Sequence, residues 1–327
     1  MKKIIALMLA AIMALGILAV GCSEEAAQND VQTEVTAEKM NIAALSGPTG
    51  IGMAKLASDG KENGKYDVVF ASAPDEITGL ITTGEVDVAC VPTNLAAALY
   101  AKTNGQVKVT AVTTMGVLYI LDKTGEVKSI ADLAGKTIGA TGQGSNPEYI
   151  LNYILENNGL AVGTDVTVNY YAEHAELASL MISGEVDIAM LPVPFAVQAQ
   201  AKADVKNVIN LQDEWNKVSD TALAQGVVIV RSDYIENNKA QFDAFLDDLK
   251  ASTDYAVTNV DETAQLCGEL GIISADVAKN AIPYCNITFS EGAEMKGTVS
   301  AFLDVLFKAN PKSTGGSMPG DDFYYAR

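Results

Sequence analysis

The sequence predicts an α/β protein built from two similar lobes, and three observations lead there. The first is an internal repeat. Gly84-Glu85-Val86-Asp87-Val88-Ala89, leading into Pro92, returns one hundred positions later as Gly184-Glu185-Val186-Asp187-Ile188-Ala189, leading into Pro192. The match extends backwards, with Glu76 and Leu80 facing Glu176 and Leu180, and Val68 facing Val168. A period this long indicates duplicated lobes and not a short-repeat solenoid. The second observation is that each half opens with a short apolar run, a loop of small residues and a helical pattern. The third is size: 327 residues with 49% hydrophobic content can form two ordinary cores.

In chain order, residues 1–21 read as an export signal. Lys2 and Lys3 supply the positive start and residues 4–20 the apolar stretch. Leu18-Ala19-Val20-Gly21-Cys22 resembles a bacterial lipobox, with Ala19 where leucine is commoner, so Cys22 is the expected lipid attachment residue. Ser23-Glu24-Glu25 turns polar at once and starts an acylated tether over residues 22–39. No other stretch is apolar for long enough to span a bilayer. The mature protein is therefore expected outside the cytoplasmic membrane, anchored by lipid.

Ordered structure is expected from Met40. Asn41-Ile42-Ala43-Ala44-Leu45 reads as a strand, followed by the loop Ser46-Gly47-Pro48-Thr49-Gly50-Ile51-Gly52 and a helix beginning with Met53, Leu56 and Ala57. Free N–H groups at such a helix start suit an anionic or polar ligand. The loop is not a nucleotide P-loop, because Met53 and Ala54 stand where Lys and Ser/Thr are needed. Each repeat copy then reads as strand, helix, tight turn and strand. Ile77, Leu80 and Ile81 have helical spacing, Gly84 ends the helix, and Val86, Val88 and Ala89 begin a buried strand. Residues 108–113, then Val117-Leu118-Tyr119-Ile120-Leu121, read as the first crossing between lobes.

The second lobe is expected to open with a strand over 137–140 and the loop Thr141-Gly142-Gln143-Gly144-Ser145-Asn146-Pro147. Pro147 fits the first turn of a helix over 148–156, since its missing N–H is not needed there. Residues 222–230 read as the return strand. Phe242, Phe245, Leu246 and Leu249 then define an amphipathic helix, residues 261–307 are expected to be mostly helical, and the tail from Gly315 to lie as a loop over lobe one. The resulting division is lobe one at 40–119 and 227–327, and lobe two at 120–226.

A net charge of -19 excludes the basic face that nucleic acid requires. The single histidine, His174, argues against a histidine-rich zinc site, and the Tyr170-Tyr171 pair against a metal role, because neighbours on a strand point to opposite faces. Cys90 reads as a buried apolar thiol, while Cys267 and Cys285 are a possible disulfide pair in an exported protein. Glu85, Asp87, Glu185 and Asp187 read as turn residues and not as acid–base catalysts. Trp215 reads as a packing residue ahead of a ring-stacking one, and Lys55 as a residue of an outer helical face.

Taken together, the acylated leader, the two strand–loop–helix lobes, the doubled turn and the two crossings resemble the solute-binding lipoproteins of ABC importers. The pattern is closest to the nitrate/sulfonate/taurine and thiamine-precursor binding type and covers the chain from Met40 to the Asp321-Asp322-Phe323-Tyr324-Tyr325 tail. That resemblance implies a two-lobe periplasmic-binding-protein fold (type II), with lobes joined by two crossover strands and ligand in the cleft between them. Carried onto this sequence, the family's ligand contacts fall on Ser46, Pro48, Thr49 and Gly50, then Thr93 and Asn94, with Thr113 and Thr114 at the crossover. Lobe two adds Thr141, Gln143, Gly144, Ser145 and Pro194. Hydroxyls, amides and backbone N–H groups of this kind can hold a sulfonate, a carboxylate or a ring heteroatom without burying a charged side chain. The expected partners are a small polar or anionic organic solute, an ABC permease and the membrane through the lipid, with the protein a monomer and no cofactor or metal. Two other roles share this fold: a sensor lipoprotein that presents its ligand, and an enzyme. No nucleophile–base arrangement favours the second.

Overall fold

Apolar alternation and glycine punctuation divide the chain into elements that assemble as two sheets. A computed structural model describes residues 39–327; the leader, Cys22 and nearly all of the tether lie outside the described residues. The first part contains β1 (Met40–Leu45), α1 (Pro48–Gly52), α2 (Ala54–Asn63), β2 (Tyr66–Ala71), α3 (Pro74–Thr83), β3 (Val88–Pro92), α4 (Thr93–Lys102) and β4 (Val107–Thr114). The chain then enters the second sheet with β5 (Leu118–Asp122), β6 (Thr137–Thr141), α5 (Asn146–Asn157), β7 (Thr167–Tyr171), α6 (His174–Ser183), β8 (Ile188–Pro192), α7 (Phe195–Lys202), β9 (Asn207–Asn210) and α8 (Leu211–Val218). It returns through β10 (Gly226–Arg231), α9 (Ser232–Thr258), α10 (Val260–Glu269), α11 (Ala275–Ala281), β11 (Ile287–Glu291) and α12 (Gly292–Ala309).

The two sheets share a plan. One runs β2-β1-β3-β10-β4-β11 and the other β7-β6-β8-β5-β9. In each, the first three strands are a parallel unit and the fourth is antiparallel to the third. That fourth strand is always the one arriving from the other sheet, β10 in the first and β5 in the second, so both connections cross between sheets.

The duplicated turn has the same anatomy in both copies. Gly84 and Gly184 cap α3 and α6 at φ 81° and 88°, a left-handed conformation that favours glycine. In each copy the following two N–H groups bond back to one carbonyl, that of Leu80 or Leu180. A cation then closes each helix end: Arg231 Nη1 reaches the Gly84 carbonyl at 2.9 Å, and Lys123 Nζ the Met181 carbonyl at 2.9 Å. Positive charge at a helix C-terminus complements its dipole. The repeat acids are turn ligands, as expected: Glu85 accepts from Thr83, Glu185 from Ser183, and Asp87 from the Asn41 N–H.

Packing completes the scaffold. Phe242, Phe245, Leu246 and Leu249 of α9 are fully buried against β1 and β3. One apolar cluster contains Val109 and Val112 of the first sheet together with Ile120 and Ile209 of the second. Trp215 is fully buried within it, 4.7 Å from the Tyr153 ring and 5.6 Å from that of Phe302. The tail lies on β4, where the Tyr325 N–H bonds the Val109 carbonyl and Phe323 is buried. Cys90 is a buried thiol pushed up to about 12 by desolvation, and Lys55 pairs with Asp59 on a half-exposed helical face.

Three expectations need correcting. The small-residue loop after β1 is itself helical from Pro48, because proline pre-sets the first turn. The return strand begins at Gly226 and not at 222, since the preceding residues spend their backbone groups on the crossing. Residues 287–291 form an edge strand on β4 within the segment read as helical; all five are only half-buried, so no clean apolar face marks them. Cys267 and Cys285 are both free thiols, buried and raised in pKa by desolvation.

Candidate functional site

Carboxyl ends of parallel strands leave backbone and small polar side chains uncovered, and both sheets direct theirs toward the crossings. On the first sheet, β1 delivers the Ser46–Gly50 turn, β3 delivers Thr93 and Asn94, and β4 delivers Thr113 and Thr114. Close packing brings some of these together. A Cβ on Gly226 would lie 2.8 Å from Thr49 Cγ2 and 2.9 Å from Thr114 Cβ, so the two threonines meet over this glycine. Thr49 donates its hydroxyl proton to the Leu45 carbonyl at 3.1 Å. Thr93, fully buried, donates to the Ala224 carbonyl at 2.6 Å, tying this turn to the return crossing. Ser46 is exposed, at the rim.

Five of the remaining polar atoms have no protein partner among the described residues. The Asn94 Oδ1, Thr113 Oγ1 and Thr114 Oγ1 atoms are buried without a hydrogen bond, and so are both amide atoms of Asn146. Burying such groups unpaired is costly, on the order of 1–3 kcal/mol each, and each retains the capacity to hydrogen-bond a ligand.

On the second sheet, Thr141 ends β6 and Asn146 begins α5. Gly142 and Gly144 take φ of 77° and 75°, turning the chain sharply enough for Ser145 to donate to the Gly142 carbonyl at 2.7 Å. The Gly144 N–H is already taken by Glu148 Oε2 at 2.5 Å, and Gln143 is exposed. Pro194 is buried after a cis Val193–Pro194 bond. The hydroxyls of Thr49 and Ser145 thus serve their own turns, leaving only lone pairs for a ligand.

Four residues outside the sequence-derived set belong to this region. In the sequence Asn146 stands out only as part of its loop. Gln212, Gln225 and Asn286 clamp the first crossing: Gln212 Oε1 accepts from the Gly116 N–H at 2.8 Å, Gln225 Oε1 accepts from the Val117 N–H at 2.6 Å, and Asn286 Nδ2 donates to the Gly116 carbonyl at 2.5 Å. Only the three-dimensional crossing brings them together, and no local pattern announces it. A Cβ on Gly116 would stand 2.7 Å from both Gln212 Oε1 and Leu223 Cδ2.

Surface depressions of about 290 and 430 Å³ lie elsewhere, beside Asp261 and Lys279 and beside Gly84 and Arg231. Their cations are paired, Lys279 with Asp261 at 2.8 Å and Arg231 with Asp233 at 2.5 Å, and none of their lining residues is a candidate contact. Among the described residues, no group of three or more His, Cys, Asp or Glu is placed to hold a metal ion, and no helix is long and apolar enough to cross a membrane.

Comparison with known proteins adds to this geometry. The model of the family described as NMT1/THI5 like matches residues 61–263, which include strands of both sheets. No curated protein matches the sequence. Among solved structures, an ABC transporter protein from Parabacteroides distasonis is similar at 27% identity and TM-score 0.74, over 89% of this chain and 99% of that one. The periplasmic aliphatic sulphonate binding protein SsuA from Escherichia coli is similar at 18% identity and TM-score 0.70, over 88% and 92%. The desulfurization enzyme DSZB is similar at 14% identity and TM-score 0.60, over 83% and 93%. The fold is that of periplasmic binding proteins.

Proposed function

The chain belongs to the NMT1/THI5-like family, and from that premise we propose that it is the solute-binding component of an ABC importer. In this reading it takes up a small polar or anionic organic solute outside the cytoplasmic membrane, anchored by lipid at Cys22, and passes it to a membrane permease. The observation that carries the reading is the set of unpaired buried oxygens and amide atoms on Asn94, Thr113, Thr114 and Asn146, at loops of both sheets. Ligand bridging those loops favours the closed arrangement, because only that arrangement makes both sets of contacts.

The likeness to a desulfurization enzyme shows that this fold also carries catalysis. The hydroxyl–imidazole contact at Thr141, whose Oγ1 lies 2.6 Å from His174 Nδ1, is completely buried on the threonine side, and the other candidate residues offer hydroxyls and amides, which supports binding over turnover. A ligand-presenting sensor would use the same loops and differs only in needing no permease. Loss of uptake on deleting the permease separates importer from sensor.

The reading is tested by thermal shift of the purified protein against ethanesulfonate, taurine, nitrate, benzoate, amino acids and 4-aminopyrimidine. A specific binder at a hundredfold excess over its Kd stabilises the fold by about 2.7 kcal/mol, a clear rise in Tm. A flat response to every member contradicts the proposed solute class.

A further inference from the structure

His174 is the only histidine in the chain, and no role described so far uses it. It is the first residue of α6, at the carboxyl edge of the second sheet. Its counterpart in the first copy, the first residue of α3, is Pro74. The duplicated architecture therefore does not require an imidazole at this place. The ring packs against Phe195, with centroids 5.4 Å apart, and its Nδ1 lies 2.6 Å from Thr141 Oγ1.

That contact determines where the imidazole proton sits. Thr141 is completely buried, and its hydroxyl has no other hydrogen-bond partner among the described residues. A hydroxyl removed from water needs an acceptor for its proton, and Nδ1 is the one within reach. Nδ1 therefore accepts, the ring is neutral, and its own proton is on Nε2. Burial acts in the same direction, holding the imidazole below its ordinary 6.5 against the opposing pull of Glu173. Protonating Nδ1 would also deprive Thr141 of its acceptor. Nε2 itself has no partner among the described residues.

We propose that the Nε2–H of His174, aligned by Thr141, donates a hydrogen bond to the bound solute. His174 then acts as a specificity-determining contact that demands an acceptor atom, an anionic or carbonyl oxygen or an unprotonated ring nitrogen. An ammonium group presented to the same point finds only a donor and is rejected. The inference rests on the solute-binding role proposed above.

Because the chain has a single histidine, ¹⁵N-histidine labelling of the protein yields one Nδ1 and one Nε2 resonance. Without solute, the expected spectrum is that of the Nε2–H tautomer, and Thr141→Val is expected to mix the two tautomers. A free protein in the Nδ1–H form overturns the proposal. Ethanesulfonate, taurine, nitrate, benzoate and 4-aminopyrimidine are then added in turn. Any member that raises Tm is expected to shift Nε2, and His174→Phe, which keeps an aromatic ring against Phe195, is expected to weaken its binding about tenfold, beside the lower Tm that follows from leaving the buried Thr141 hydroxyl without its acceptor. If a member raises Tm while Nε2 and the variant's affinity stay unchanged, the proposal is overturned and the solute-binding role stands. If no member raises Tm, the proposed solute class falls and this proposal with it.

Discussion

At the residue scale, the tightest constraint is on polar atoms that burial leaves with one partner or none. His174 illustrates the consequence for pH. Desolvation lowers its native pKa below 6.5, so in the window just under that value the unfolded chain binds a proton that the native protein refuses. Stability from this group is therefore fully present above 6.5 and is lost as pH falls toward the native pKa. Denaturant midpoints at pH 7.5 and 5.5 should differ more for the wild type than for His174→Gln; equal differences would show that the ring is not held neutral by the fold. Thr49 and Ser145 teach a second lesson. The family resemblance implies both as contacts, and both hydroxyl protons are used within their own turns. Residue type told where a hydroxyl would be, but its direction depends on which carbonyl lies nearest after folding.

At the scale of elements, the doubled turn shows why so much was legible. Gly84 and Gly184 end their helices at positive φ, and the strands after them begin at Val88 and Ile188, in register with the repeat. Alanine at either position must adopt the left-handed conformation, at a cost of about 1–2 kcal/mol. The Gly84→Ala variant should lose more, since its Cβ would stand 2.9 Å from Arg231 Nη1, against 3.4 Å from Lys123 Nζ at Gly184. Urea unfolding checks both, and an unchanged midpoint in either variant would contradict the shared capping geometry. Elements whose signal is weak locally were harder to read. The strand β11 has no buried face to create alternation, and the return crossing is held by long-range bonds from Thr93 to Ala224 and from Val117 to Gln225.

At the scale of the molecule, the duplication and the glycine-punctuated loops made the two-sheet plan readable, because each lobe repeats one strand–helix grammar. That two crossings join the lobes was readable; the contacts that fix the join were not. Aromatic packing of Trp215 between Tyr153 and Phe302, and the amide clamp on Gly116, depend on contacts between segments far apart in sequence. The same limit applied to Asn146, whose buried amide is left without a partner among the described residues only by the folded arrangement. A solute that bridges the sheets must use both sides at once. The decisive measurement is calorimetric affinity of the strongest thermal-shift binder for the wild type, Thr114→Val and Asn146→Leu. Each substitution removes a hydrogen-bonding group that the free protein leaves unsatisfied, so each should leave Tm unchanged or raise it. Both variants should bind about tenfold more weakly or worse. If either variant binds with wild-type affinity, the solute does not bridge the two lobes at this site.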